Sequence, residues 1–315
     1  MSNLFQTAHA SRKKPGRYRL YKGNLTRGER VFHACNDCFM FLLMLVFLVP
    51  FWSVFAMSFV SEAEAARRGS FILFPESFDL TAYRVLLSGG SAVWRAYGNT
   101  LFVVIVGTAV NLLLTVMLAY GLSKKGLPGR SGLTLMIFVT MLFSGGLIPS
   151  FLLNKYLGLV DSRWALILPG AVSAWNTFIM RNFFAELPES LEEAAHIDGA
   201  STVRVLFSIV LPISLPSIMT IGLFYAVGHW NAWFSAAIYI NSKPKLPVQN
   251  ILRNMVAAAS SSDINSEAMN STMQKPPAET MKSAMIVVTT LPILFVYPFI
   301  QKYFVKGVLV GSVKG

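Results

Sequence analysis

The sequence predicts an all-α, polytopic membrane protein with six transmembrane helices. Three observations carry this. Only 13% of the 315 residues are charged and 54% are hydrophobic, about half the charge of a typical soluble domain. Six charge-free windows, each near the length needed to cross ~30 Å of hydrocarbon at ~1.5 Å per residue, are separated by charged segments. These windows do not alternate in the short segments of a membrane β-barrel. The same composition excludes a disordered chain, a collagen-like chain, a disulfide scaffold and a soluble enzyme of ordinary make-up.

The first window lies between Asp37 and Glu62, the second between Arg95 and Lys124, and the third between Arg130 and Lys155. The fourth, between Arg163 and Arg181, is the shortest. The fifth, between Arg204 and Lys243, is longer than one span needs, and the sixth lies between Lys282 and Lys302. A charge at mid-bilayer costs about 2.5–3.5 kcal/mol, so their absence here is a topology signal. The chain divides into a basic N-terminal segment 1–36, a six-span domain 37–304 and a tail 305–315. The first apolar run is too long for the ~7–15-residue core of a cleavable signal and is expected to stay as an anchor.

Charge orients the spans. The N-terminal segment holds Arg12, Lys13, Lys14, Arg17, Arg19, Lys22, Arg27 and Arg30 against Glu29 alone. The loop with Lys124, Lys125 and Arg130 is basic, as is the tail with Lys302, Lys306 and Lys314. Six spans put all three on one side, which the positive-inside rule makes the cytoplasm, beside anionic headgroups. Segment 61–95 has four bases and four acids and is placed outside. So is 242–281, a long polar loop rich in Ser and Asn that ends near Pro276 and Pro277. The net charge of +12 therefore reports topology rather than nucleic-acid binding, since no basic, aromatic-rich soluble domain is present.

The loop between the fourth and fifth spans breaks the rule. It gathers Glu186, Glu189, Glu192, Glu193 and Asp198, five of the fifteen acids. Pro188 followed by Glu189 and Ser190 is a helix start, with acids where the helix dipole favours them. Glu192, Glu193, Ala194 and Ala195 continue it, and Asp198 with Gly199 reads as its stop. This is a short surface helix within 187–200, closed by a glycine that allows close backbone approach.

Glu193-Ala194-Ala195, three residues, Gly199, nine residues, then Ile209-x-Leu211-Pro212 resembles the EAA-x3-G-x9-I-x-LP signature. That signature marks inner-membrane permease subunits of ATP-binding-cassette importers, the type I six-span fold. Asp198, Ala200, Phe207 and Pro216 fit its extended form. Met180 to Phe184, Trp230-Asn231-Ala232-Trp233 and the tail from Phe304 resemble the carbohydrate branch. The tail and first span look like the subgroup for complex plant- and algal-type oligosaccharides. The likeness covers residue 30 to the end.

The resemblance implies a coupling helix at 189–199 seated in an ATPase cleft. Glu193 would present its carboxylate there, Ala194 and Ala195 would fit the cleft floor, and Asp198-Gly199 would turn the chain. Ile209, Leu211 and Pro212 would join the helix to the fifth span as a rigid lever. The chain has no G-x-x-x-x-G-K-[ST] phosphate loop, so ATP is expected on the partner and no cofactor on this chain. The implied partners are a second, different permease, two ATP-binding-cassette subunits, an extracytoplasmic sugar-binding protein and membrane lipid. The implied location is the bacterial inner membrane with both termini cytoplasmic.

Polar groups inside spans mark candidate pathway positions. Trp175 and Asn176 in the fourth span and Trp230, Asn231 and Trp233 in the fifth combine indole faces with amides, as sugar binding requires. An interfacial aromatic belt would use Trp equally. Asn99 and Asn111 are read as interhelical ties, and His229 as a packed or helix-pairing histidine. The 242–281 loop is read as docking the binding protein. Its Lys243, Lys245, Arg253 and Lys275 suit either a docking surface or an acidic sugar.

A secondary transporter or channel is the alternative, but the six windows hold no Asp or Glu for ion coupling. An enzyme would need chemistry that is missing: no H-E-x-x-H and no ligand spacing among His9, His33, His196 and His229. Cys35-x-x-Cys38 beside His33 fits a redox pair or partial metal site. With no second Cys pair, two small residues entering the first helix is the simpler reading.

Overall fold

The computed structural model describes residues 26–265 and 279–312, with side chains at 26–258 and 279–298. The bases from Arg12 to Lys22, the Pro276-Pro277 pair and Lys314 lie outside the described residues. No strand occurs among those described.

Helix α1 (Arg27–Met57) starts ten residues before 37, where the six-span domain is expected to begin. Its start is a capping box. Glu29 N donates to Thr26 Oγ1 at 3.3 Å, and the Glu29 carboxylate accepts from Thr26 N at 2.7 Å. Cys35 and Cys38 are free thiols exposed along this helix. The chain divides after Trp52 into two compact units, and the packing described next is that of the second, Ser53 onward.

Segment 61–95 is folded rather than open. Helix α2 (Glu62–Arg68) is capped by Ser61, and Gly69 closes it at φ +81°. Glu64 is buried and uses one carboxylate oxygen to accept from Arg68 at 2.6 Å and from Glu76 N at 3.0 Å. Helix α3 (Thr81–Leu86) returns Tyr83, whose hydroxyl donates to Ser58 Oγ at 2.7 Å.

Helix α4 (Ala92–Ser123) is the centre of the bundle. Val93, Ala96, Thr100, Val103, Gly107, Asn111, Thr115 and Ala119 form its buried stripe at helical spacing. Helices α5 (Arg130–Leu142) and α6 (Leu147–Tyr156) fill the third window but meet at a 115° bend. Gly146 supplies the turn at φ +84°, while Pro149 sits in the first turn of α6, where its missing N–H costs nothing.

The fourth window departs from a continuous span. Two 3₁₀ turns (Arg163–Leu166 and Leu168–Gly170) precede a twelve-residue helix α7 (Ala174–Ala185). Pro169 and Gly170 break the first stretch, and Ser173 restarts the helix by accepting from Asn176 N at 3.3 Å. Helix α8 (Glu189–Ile197), α9 (Thr202–Val205), α10 (Leu211–Ile213) and α11 (Leu215–Asn231) lead into the fifth window. Here Thr202–Ile213 and Leu215–Asn231 are bent by 85°.

Helix α12 (Phe234–Tyr239) and a 3₁₀ turn (Lys243–Lys245) follow. The expected 242–281 loop is partly helical, because Val248, Ile251, Leu252 and Met255 give α13 (Val248–Asn265) an apolar face. That face packs with Leu86, Val93, Ala96, Ala284 and Met285. Helix α14 (Glu279–Ser312) continues through the expected tail boundary at 304/305. Three helices are long and apolar enough to cross a membrane: α1, α4 and Glu279–Pro298 of α14. Counting each bent pair as one span makes five among the described residues.

The spans are tied by polar contacts that hydrocarbon cannot supply. Asn99 donates to Pro244 O at 2.8 Å, and Asn111 Nδ2 lies 3.1 Å from His229 Nε2. Thr115 and Tyr225 hydroxyls pair at 2.7 Å. Asn111 and His229 are thus the interhelical tie expected of them, whereas Asn99 ties α4 to the Lys243–Lys245 turn rather than to another span. Gly107 is required where α4 meets α11, since a Cβ there would lie 2.7 Å from His229 Nε2. Gly107→Ala is expected to push the imidazole off Asn111 and to destabilise the fold by about 1–3 kcal/mol. Thermal unfolding in detergent checks this.

One loop is pinned outside the bundle core. Asp161 adopts φ +62°, and its carboxylate accepts from Asn241 N, Ser242 N, Ser242 Oγ and Lys245 Nζ at 2.6–3.0 Å. The Lys245 ammonium, then Ser242, hold this carboxyl far below the usual carboxylate range. A depressed value means the clamp is complete above the ordinary Asp pKa of about 3.9 and is lost as pH falls through the lower folded value. Asp161→Asn is therefore expected to lower the melting temperature at pH 6–8 and to narrow the gap to wild type as pH drops below about 4.

Candidate functional site at helix α8

Helix α8 begins at Pro188, whose φ of −58° suits a helix start, with Glu189 and Glu192 in the first turn. It closes through three backbone bonds: Asp198 N to Ala194 O at 3.1 Å, Gly199 N to His196 O at 3.0 Å and Ala200 N to Ala195 O at 2.9 Å. Gly199 sits at φ +78°, with nothing within 4 Å of where a Cβ would stand. Backbone conformation, not space, demands glycine there. His196 Nδ1 lies 2.9 Å from Ala200 O. A carbonyl only accepts, so Nδ1 carries the hydrogen.

The helix is held from beneath. Ala195 is 8% exposed and packs in one core with Val116, Ala119, Tyr120, Met180 and Phe184. Ala195 therefore faces the protein's own interior and not the floor of a partner's cleft that the resemblance implies for it. Glu192 pairs with Lys124 at the end of α4 and accepts from the Tyr120 hydroxyl at 3.3 Å. The Lys124 ammonium also stands 4.2 Å from the centre of the Tyr120 ring. Lys125 reaches Glu189 at 2.8 Å, and this bond and charge hold the Glu189 carboxyl below its ordinary range.

The outer face is different. Glu193, Ala194 and Asp198 are exposed. Leu191 and Ile197 on the same helix, and Val203 and Phe207 shortly after it, are exposed as well, Ile197 to 86%. Exposed apolar side chains grouped among charges mark an interaction surface. The sequence reading missed Leu191, Ile197 and Val203, and with them the anchors Lys124 and Tyr120. An outward apolar residue two positions after the E-A-A triplet was the available signal.

From α8 the chain passes to α11 through a stiff corner. Ser201 caps α9, and Leu206–Val210 forms a π-helical turn. Ile209 and Leu211 are partly buried against the same core, while Pro212 is exposed. The expected rigid lever is L-shaped, bent by 85° at Ser214, at the interruption that Pro212 and Pro216 mark in the fifth window. Pro212 cannot donate to the preceding turn, and the π turn absorbs the mismatch. Val205, Leu206 and Val210 on one arm share a core with Ile221 and Tyr225 on the other, so the corner is packed.

The pathway candidates differ in exposure. Trp175 is 63% exposed on α7, while its neighbour Asn176 is buried. Trp230 is buried, with its ring 6.2 Å from that of Tyr97. Asn231 is exposed. Trp233 lies under Arg253 at 4.0 Å, and its carbonyl accepts from Asn250 at 2.9 Å, which binds α11's end to α13. Near that end a cleft of about 470 Å³ is lined by Asn99, Phe102, Asp161, Arg163, Trp164 and Lys245.

Residues 111–310, which include α8 and both arms of the corner, match the model of a family described as "Binding-protein-dependent transport system inner membrane component". The chain is 47% identical to the polygalacturonan/rhamnogalacturonan transport system permease protein YtcP of Bacillus subtilis (strain 168), over 91% of this chain and 99% of that one. It is 46% identical to protein LplC of the same organism, over 92% and 97%. A crystal structure of a bacterial ABC transporter involved in the import of the acidic polysaccharide alginate contains a similar chain. That chain has a TM-score of 0.79 and 33% identity, with 89% of this chain and 99% of that one covered.

Proposed function

Because the chain belongs to the family of binding-protein-dependent transport system inner membrane components, a non-catalytic permease family, we propose that it forms half of the pathway of an ATP-driven importer for acidic oligosaccharides. Its substrate is a short polymer containing uronic acid. The other half is a second, different permease, and two ATPase subunits and an extracytoplasmic binding protein complete the complex. Both termini are cytoplasmic, so α8 faces the ATPase and the Asp161 loop faces outward.

The observation that carries this reading is the two-sidedness of α8. Glu192 and Ala195 lock it to α4 and α7, while Glu193, Ala194 and Ile197 are left for a partner. Force applied to that outer face passes through the packed corner at Ser214 into α11, where Tyr225 and His229 bond to α4. ATPase closure thus shifts α11 against α4 without ATP touching this chain. Relatives named for polygalacturonan and for alginate support the acidic substrate, and so does Arg163 in the outer cleft.

Uptake of labelled oligogalacturonate by cells expressing the whole transporter tests the substrate. Uptake competed by unlabelled oligogalacturonate, and not by a neutral oligosaccharide of the same length, is expected. Competition by the neutral sugar alone would contradict it.

A further inference from the structure

A larger cleft, of about 800 Å³, opens beside the turn between α4 and α5. Arg130 from the start of α5 and Arg181 from α7 meet in it. Their Nε groups donate to the same carbonyl, Leu122 O in the last turn of α4, at 2.9 and 3.3 Å. Both side chains are half-buried. Neither has a carboxylate partner among the described residues. Glu192 pairs with Lys124 and Glu189 with Lys125, so neither serves the two arginines. The carbonyl end of α4 offers only about half a negative charge against two guanidiniums. Two like charges held together and partly out of water call for an anion between them.

The rest of the cleft says which kind. Leu135, Phe138 and Phe178 form its other wall. Leu135 is 61% and Phe138 46% exposed, and both continue the apolar outer face of α5. A soluble anion would satisfy the arginines and leave that wall wet. We propose that this cleft binds an anionic phospholipid, its phosphate forked between Arg130 and Arg181 and one acyl chain along Leu135 and Phe138. Planar guanidiniums hold phosphate oxygens in pairs, and basic pockets between spans at the cytoplasmic face suit such headgroups. A lipid here braces α4, α5 and α7 just above α8, and its site is independent of the substrate.

The assembled transporter, stripped of lipid in detergent, is titrated with phosphatidylglycerol or phosphatidylcholine and read by native mass spectrometry. Wild type is expected to retain phosphatidylglycerol about tenfold more strongly than phosphatidylcholine. The double variant Arg130→Gln with Arg181→Gln is expected to lose that preference. Arg130→Lys with Arg181→Lys, which keeps the charge, is expected to retain most of it and guards against a merely misfolded glutamine variant. Equal preference in wild type and the glutamine variant would overturn the proposal. So would displacement of the lipid by millimolar inorganic phosphate, which marks a soluble-anion site, or a cleft that a partner subunit protects from lipid altogether.

Discussion

Gly199→Asp is expected to abolish transport and transport-linked ATP hydrolysis while the protein still inserts in the membrane, and Gly199→Asn is expected to keep at least about half of both. The two side chains have nearly the same shape, and both tolerate the left-handed backbone that Gly199 adopts at φ +78°. No neighbour stands within 4 Å of the new Cβ, so neither variant clashes inside this chain. They differ in charge. Asp at 199 adds a third exposed carboxylate beside Glu193 and Asp198, on the face proposed to meet the ATPase. Gly199→Val separates the remaining cause. A β-branched residue resists this backbone, so the closure by Ala200 N on Ala195 O opens and the outer face shifts. It should fail as Gly199→Asp does. Wild-type uptake by Gly199→Asp would remove α8 from the mechanism.

The second large effect concerns the inner face. Lys124→Glu is expected to cut uptake by about tenfold or more, because it leaves Glu192 facing a like charge in a site only 16% exposed. Glu192→Lys should do the same. The double exchange, Lys124→Glu with Glu192→Lys, restores an opposite pair and is expected to recover much of the activity. Recovery distinguishes an anchoring pair from two residues that matter separately. The cost of breaking the pair is about 1–3 kcal/mol, below that of a fully buried pair because Lys124 reaches water. Glu193→Gln is expected to leave the protein's thermal stability unchanged while weakening ATPase binding, since its carboxylate is exposed.

The contrast between Glu192 and Glu193 shows what sequence spacing can and cannot say. Adjacent residues on a helix point about 100° apart, so the two cannot present to one surface alike. Which of them faces inward depends on Lys124, sixty-eight positions away. The spans were legible where a charge would have been intolerable, as in α4, whose apolar run ends at Lys124. Asn111 and His229 were legible as ties for the same reason. At Ser214, Pro212 and Pro216 mark an interruption of the fifth window, but the 85° angle and the π turn at Leu206–Val210 leave no trace in hydropathy. The fourth window read as a span because Leu168, Pro169 and Gly170 are uncharged, although they cannot propagate an α-helix. Helix α13 was concealed by its Ser- and Ala-rich end, while Val248, Ile251, Leu252 and Met255 carried its period in plain view. Trp230 matches a sugar platform in type, and the structure adds that it is buried beside Tyr97, which sequence alone does not say.

The account depends on the outer face of α8 being the seat of the ATPase. A single cysteine at Ala194, with Cys35 and Cys38 replaced by serine, tests this directly. Ala194 is exposed and small, and the thiol it would carry does not disturb the inner contacts of Glu192 and Ala195. Maleimide labelling is compared between the permease pair alone and the complete transporter. The account predicts that assembly with the ATPase subunits slows labelling about tenfold or more, and that prior labelling prevents assembly. Equal labelling of both forms, with a modified Ala194→Cys still assembling and transporting, would contradict it.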